Sequence, residues 1–250
     1  MQEITSVNND LVKETVKLQQ KKYRDKTGKF LLEGYKCIEE AFIAGLEIEY
    51  AFVLKEKQVE YGFLGECVVL TSEAVLKKVS TTESAPDAVA VARKKVYSID
   101  DLKNTEKVVL LENIKDLGNL GTVLRSSVAF GADAVVLYGK ECADLYNPKC
   151  VRSTVGNLWK IPVIYIEDFD ILQKLFGNFE RLATLPRAKE YLKECKLKPP
   201  VLVMFGSEAD GLSDELVKFS TKHVKIEMSD RVESLNLSVS CAVVLYELFV

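Results

Sequence analysis

Six short runs of Val, Ile and Leu beyond residue 107, each followed by a polar or helical segment, set the narrowest limits on the fold. VVLLEN (108–113), DAVVLYG, IPVIYI, ERLATL, PPVLVMFG and HVKIE read as strands. Between them lie LGTVLRSSVAFG ended by Gly131, NPKCVRSTVGNLWK with Pro148 in its first turn, DFDILQKLFG, and SDELVKFS opened by Ser213; all read as helices. A strand that is apolar at nearly every position is buried on both faces. Strands of this kind alternating with helices make a parallel sheet covered on both sides. A final helix is predicted from about Asn236.

The first 96 residues alternate strand and helix on a smaller scale. LVKETVKLQQKKYRD has helical spacing, with Leu11, Thr15, Leu18 and Lys22 on one side, and predicts one helix from about Asn8 to Asp25. KFLLEG, EYAFVL, ECVVLTS and PDAVAVARK read as strands. YKCIEEAFIAG reads as a helix closed by Gly45, and SEAVLKKVS as one capped by Ser72. YSIDDLKNTE (97–106) is polar and turn-rich and reads as a linker, so the expected division is 1–96, linker 97–106, and 107–250.

Composition removes several classes. Hydrophobic residues make up 48% and charged residues 28%, which suits a protein with a full core. The net charge is −3, so any polyanion must meet a local basic patch. No run approaches the roughly 20 apolar residues of a membrane span. The polar start MQEITSVNND lacks a secretory h-region, which leads to the expectation of a cytoplasmic protein without a membrane partner. The cysteines at 37, 67, 142, 150, 195 and 241 form no C-x-x-C pair, so neither a metal site nor a disulfide scaffold is expected.

In a parallel sheet, ligands bind outside the carboxyl ends of the strands. Three loops there are rich in Gly and polar residues: 112–121 with Arg125 beyond it, 206–212, and MSDRVESLNLSVS (228–240). The first contains G-N-L-G rather than G-x-G-x-x-G, and no acid ends DAVVLYGK, which excludes a dinucleotide fingerprint. G-x-x-x-x-G-K-[ST] is absent, and Gly206-Ser207 lacks the G-x-S-x-G spacing of a serine hydrolase. His223, the only histidine, opens a strand between Lys222 and Val224 and reads as structural or surface. Taken singly, Asn119 and Asn236 read as helix caps, Arg125 as a solvated helix charge, and Gly206, Glu208 and Gly211 as a turn.

Taken together, the three loops resemble the SpoU (TrmH) family of RNA 2′-O-ribose methyltransferases within the SPOUT superfamily. The resemblance rests on Asn119-Leu120-Gly121 through Arg125 to Phe130-Gly131-Ala132-Asp133, on Phe205-Gly206-Ser207-Glu208 with Gly211-Leu212, and on Val232-Glu233-Ser234-Leu235-Asn236 with Ser238 and Val239. Asn147-Pro148-Lys149, Val151-Arg152 and Leu158-Trp159 fit the spacer, and the similarity covers about 108–249. Leu117 stands where many members have proline, and Ser229-Asp230-Arg231 where a glycine is common. The resemblance implies a SPOUT-type parallel-sheet domain with a deep trefoil knot, S-adenosylmethionine as cofactor, and a homodimer formed through the C-terminal domain.

It also implies residue roles. Backbone groups at Gly206, Ile226 and Leu235 hold the cofactor, joined by Thr184. Asn119, Glu208 and Asn236 form the polar frame of the catalytic site. Ser234 meets an RNA phosphate, and Arg125 is the central catalytic residue. A guanidinium stays protonated, with a pKa above about 12, so Arg125 is expected to grip phosphate and stabilise the developing alkoxide rather than act as a base. The first 96 residues resemble the small α/β RNA-binding domain that many members carry. Lys21, Lys22, Arg24 and Lys29, around Tyr23, are the expected RNA contacts, against the plain alternative of a solvated helix face. The expected activity is S-adenosylmethionine-dependent 2′-O-methylation of structured RNA, ribosomal by family habit. The alternatives are a tRNA substrate and a catalytically silent RNA-binding protein on the same fold.

Overall fold

The computed structural model describes residues 2–250. The first elements are β1 (Gln2–Ile4), α1 (Asp10–Lys17), α2 (Lys21–Thr27), β2 (Lys29–Glu33), α3 (Tyr35–Ile43), β3 (Ile48–Leu54), β4 (Val68–Thr71), α4 (Glu73–Val79) and β5 (Ala88–Arg93). There follow β6 (Lys107–Glu112), α5 (Leu117–Ala129), β7 (Ala134–Tyr138), α6 (Pro148–Ser153), β8 (Val163–Ile166), α7 (Phe169–Phe176), β9 (Glu180–Thr184), β10 (Glu190–Tyr191), β11 (Val201–Phe205), α8 (Asp214–Phe219), β12 (Lys222–Lys225) and α9 (Leu237–Phe249). The chain divides into two compact units. One runs through Val96 and takes in Asp144–Trp159; the other comprises Tyr97–Ala143 and Lys160–Val250.

In the first unit β1-β4-β3-β5-β2 form a mixed sheet, with β5 antiparallel to both β3 and β2. Val12, Leu31, Phe52, Leu76, Val89 and Val91 share its core. The single helix expected over 8–25 is two helices. Leu18, Gln19 and Gln20 N–H groups bond to the carbonyls three residues back, tightening the turn until α1 ends. The Arg24 guanidinium then donates from Nη1 to the Leu18 and Gln19 carbonyls (2.8 Å each) and from Nε to Asp144 Oδ2 (3.2 Å).

That last bond helps to explain why Asp144–Trp159 packs here, although the sequence pattern runs straight through it. The Tyr146 and Trp159 rings lie 4.8 and 5.6 Å from that of Phe30. Arg152 pairs with Glu33, whose side chain is 1% exposed and also accepts from Thr81 N (2.8 Å) and Oγ1 (2.9 Å). The stretch read as a linker likewise carries structure. Ser98 and Asp101 cap a short 3₁₀ turn over Ile99–Leu102, and Leu102 is buried in the core of the second unit.

The second unit is built on seven parallel strands in the order β10-β12-β9-β11-β6-β7-β8. Every residue of β7 and β11 is buried, as the unbroken apolar runs require. Val108, Leu110, Val136, Leu202 and Met204 meet Leu172, Phe176 and Leu216 of α7 and α8 on one face. Alternation sends Val109, Leu111, Val135 and Val203 to the other face, where they are also buried. α5 and α9 pack on each other. All six cysteines are free thiols, and burial pushes Cys37 up to about 12 and Cys241 higher still. No helix among the described residues is long and apolar enough to cross a membrane.

Candidate active site

Parallel strands bring all their carboxyl ends to one edge of the sheet. From β6 the sheet grows through β7 and β8 on one side and through β11, β9, β12 and β10 on the other, so its direction reverses between β6 and β11. An open α/β sheet binds ligands in the crevice at such a switch point. A cleft of about 790 Å³ lies at this edge, within the range of small-molecule sites. Its walls are the loops after β9 (Thr184 to Arg187), β11 (Gly206 to Leu212) and β12 (Ile226, Met228 and Ser234 to Leu237), with Ser240 and Val244 of α9 behind them.

The loop after β11 is a tight hairpin. Ser207 and Gly211 exchange backbone hydrogen bonds (3.2 and 3.1 Å), Ser207 Oγ accepts from Asp210 N (3.1 Å), and Gly211 adopts φ +70°. The hairpin folds back onto Gly206, where a Cβ would lie 1.9 Å from Gly211 C and 2.1 Å from Leu212 N. The protein's own backbone, packed on the side where a Cβ would sit, thus requires glycine at this position of the cleft lining. Glu112, buried at the end of β6, accepts from Ser213 N (2.7 Å) and ties the far end of the hairpin to the neighbouring strand.

A continuous polar chain crosses from α5 to α9. Asp116, not Asn119, caps α5, its Oδ1 accepting from Asn119 N (2.7 Å). Leu117 occupies the first helical position, where the proline of other members would fit without loss of a hydrogen bond. The Asn119 side chain is therefore free to bridge. Its Nδ2 donates to Glu208 Oε1 (2.8 Å), and its Oδ1 accepts from Asn236 Nδ2 (3.0 Å). Asn236 caps α9 with its other end, Oδ1 accepting from Ser238 N (2.9 Å), Ser238 Oγ (2.7 Å) and Val239 N (3.3 Å). Its cap and site readings thus coexist in one side chain.

The structure brings Thr184, Gly206, Glu208, Ile226, Ser234, Leu235 and Asn236 together around the cleft, with Asn119 joined by hydrogen bonds. Thr184 Oγ1 donates to Met204 O (2.9 Å), which leaves its lone pairs for a ligand. Ile226 and Leu235 make no backbone hydrogen bond among the described residues. Arg125 is exposed on the third turn of α5, without a hydrogen bond or ion pair among the described residues; it is not part of the cleft lining. His223 is exposed, its Nε2 3.2 Å from Val217 O. Arg187 and Lys225 line the cleft but escaped the sequence reading, because each looks like an ordinary surface charge until the fold places it.

Two expected RNA contacts in the first unit are otherwise engaged. Arg24 is 1% exposed, its guanidinium committed to two carbonyls and Asp144, so it is not available to a phosphate. Lys29 pairs with Glu49 at 2.5 Å and is half-buried. Lys21 and Lys22 are exposed.

The double role of Asn236 can be separated by substitution. Asn236→Asp keeps the cap acceptor and is expected to unfold within about 0.5 kcal/mol of wild type, whereas an alanine cap costs about 1 kcal/mol. The aspartate loses the Nδ2–H donor and sets a carboxylate against Asn119 Oδ1. Enzymatic turnover is expected to fall at least about tenfold, the worth of one such bond. Unchanged turnover in a stable Asn236→Asp protein would show that the bridge is structural only.

A parallel sheet with its cleft at the carboxyl edge, between the loops after β9, β11 and β12, and a polar chain across its loops is that of a SPOUT-type α/β protein. The model of the SpoU rRNA methylase family matches residues 106–246, and that of an MRM3-like substrate-binding domain matches residues 9–90; the chain belongs to the SpoU rRNA methylase family. It is 30% identical over 259 residues to the 23S rRNA (guanosine(2553)-2′-O)-methyltransferase RlmP of Bacillus subtilis, covering 99% of each chain. It is 31% identical to an uncharacterized tRNA/rRNA methyltransferase of Synechocystis, covering 98% of this chain and 92% of that one. The crystal structure of an AdoMet-bound rRNA methyltransferase from Sinorhizobium meliloti superposes with a TM-score of 0.88 at 27% identity, over 98% of this chain and 96% of that one.

Proposed function

We propose that this protein transfers a methyl group from S-adenosylmethionine to a ribose 2′-oxygen of ribosomal RNA. The observation that carries the proposal is the cleft itself: three post-strand loops with unpaired backbone groups at Ile226 and Leu235, beside a pre-ordered Asn236–Asn119–Glu208 chain. The ribosomal target is supported by the similarity to RlmP and to the S. meliloti protein. The backbones of Gly206, Ile226 and Leu235 would hold the cofactor, with Thr184 at the base of the cleft. When bound, S-adenosylmethionine supplies an electrophilic methyl group on a sulfonium.

The protein's own task is then to orient the ribose and to manage the charge left on its oxygen. Arg125, exposed and without an ion pair among the described residues, grips the target phosphate and stabilises the oxyanion as its proton passes to water. Ser234, exposed at the rim, hydrogen-bonds RNA. Lys21 and Lys22 supply phosphate contacts from the substrate-binding domain. A knotted C-terminal segment and a homodimer belong to the same proposal. Val239, Val243 and Tyr246 support the dimer by making an exposed apolar stripe at i, i+4 and i+7 along α9.

Arg125→Lys is expected to lower kcat at least about 100-fold with the pH–rate profile unmoved, since lysine keeps the charge but not the fork. Activity near wild type would remove the bidentate role. Titration calorimetry with S-adenosylmethionine checks the cofactor. Measurable one-to-one binding is expected, and its absence would favour a silent RNA-binding protein.

A further inference from the structure

The stretch RAKEYLKECKLK (187–198) carries five cations against two carboxylates, in a chain whose net charge is −3. The fold gathers further charge beside it. β10 pairs with β12 so that Tyr191 faces Lys225, and the Tyr191 ring lies 4.6 Å from Lys225 Nζ and 5.6 Å from Lys193 Nζ. Lys222 Nζ donates to the Lys196 carbonyl and fixes the stretch to β12. Arg187, Lys189, Lys196 and Lys198 are exposed and carry no ion pair among the described residues. Arg187 and Lys225 also line the cleft, so the basic surface continues into its mouth.

Lysines on an edge strand often serve only to discourage pairing with another chain. That explanation is too small here. β10 is two residues long, while the cations extend from before it to well past it, and one end of the surface opens on the cleft. Unpaired ammonium groups of this kind bind a polyanion by displacing its counterions.

We propose that the β10 edge is an RNA-backbone track of the catalytic unit, leading the phosphates of the substrate toward the cleft. The inference rests on the RNA methyltransferase reading above. Tyr191 holds Lys225 and Lys193 in place with its ring, rather than stacking on a base; Lys193 also pairs with Glu227, so the phosphate contacts fall to Arg187, Lys189, Lys196 and Lys198.

The test is the double variant Lys189→Gln/Lys196→Gln, in which neither residue lines the cleft. Binding to a 23S rRNA transcript is measured from 50 to 200 mM salt, and S-adenosylmethionine binding by calorimetry. Losing two phosphate contacts is expected to weaken RNA binding about tenfold and to flatten the log–log salt slope by about 1.5, with cofactor affinity unchanged. RNA affinity and slope equal to wild type would overturn the track and leave the methyltransferase reading standing. Weakened cofactor binding would overturn it too, by showing that the patch acts through the cleft. A wild-type protein that binds no transcript would overturn the underlying reading together with the track.

Discussion

Gly206→Ala is expected to abolish binding of S-adenosylmethionine to the wild-type site, lowering affinity at least about 100-fold, or about 2.7 kcal/mol. The added methyl has no room. It would sit 1.9–2.2 Å from Gly211 C, Gly211 O and Leu212 N, all of them backbone atoms that no rotamer change can move aside. The hairpin from 207 to 211 must lift away from β11, and with it goes the wall of the cleft that carries Glu208. Asn119 then loses the acceptor for its Nδ2. Gly211→Ala is the instructive partner. Nothing lies within 4 Å of its Cβ, but its φ of +70° is left-handed, so it is expected to cost about 1–2 kcal/mol of stability with a smaller loss of binding. Calorimetry on the two variants separates the steric effect from the conformational one. Comparable cofactor affinity in Gly206→Ala and wild type would mean that the hairpin is not a wall of the binding site.

Arg24→Ala is expected to destabilise the first unit by about 3–5 kcal/mol, the penalty for breaking a buried pair by removing one partner. The guanidinium closes the turn between α1 and α2 through two carbonyls and holds Asp144 beside it. Its loss would leave both carbonyls and the half-buried carboxylate poorly satisfied. The measurement is direct because Trp159, the chain's single tryptophan, is buried in the same unit against Phe30. Its fluorescence in a urea titration reports that unit. If Arg24 were an RNA contact, as its place in a basic run suggests, the substitution would leave the midpoint unchanged and weaken RNA binding alone. A shift in midpoint for Arg24→Ala with no shift for Lys22→Ala is the expected contrast.

The same residues show where the sequence is legible and where it is not. The central strands β6, β7 and β11 could be read from apolar runs because burial on both faces leaves them almost no polar positions, whereas the two-residue β10 left no such run. Helix starts at Ser213 and Asn236 were readable because the cap is a local interaction. Arg24 was not readable. Its partners include Asp144, 120 residues away, and nothing in KKYRDKTGK distinguishes the one buried cation from its exposed neighbours. The break between α1 and α2 escaped for the same reason, since helical spacing persists through Leu18–Gln20 while Arg24 secures the turn. At the site, the three motifs marked loops that the fold joins by hydrogen bonds, but a motif carries no directions. The bridge from Glu208 through Asn119 to Asn236 depends on Asp116 having taken over the cap of α5. Arg187 and Lys225 belong to no motif, and only the fold places them together in the lining of the cleft.

The most direct test is methyl transfer itself. The full chain is incubated with S-adenosylmethionine carrying a tritiated methyl group and a 23S rRNA transcript, and the RNA is digested to nucleosides. Label in a single 2′-O-methylated nucleoside, absent when Arg125 is replaced, is the expected result. Label on a base, or none from a protein that binds the cofactor, would contradict the assignment of this cleft to ribose methylation.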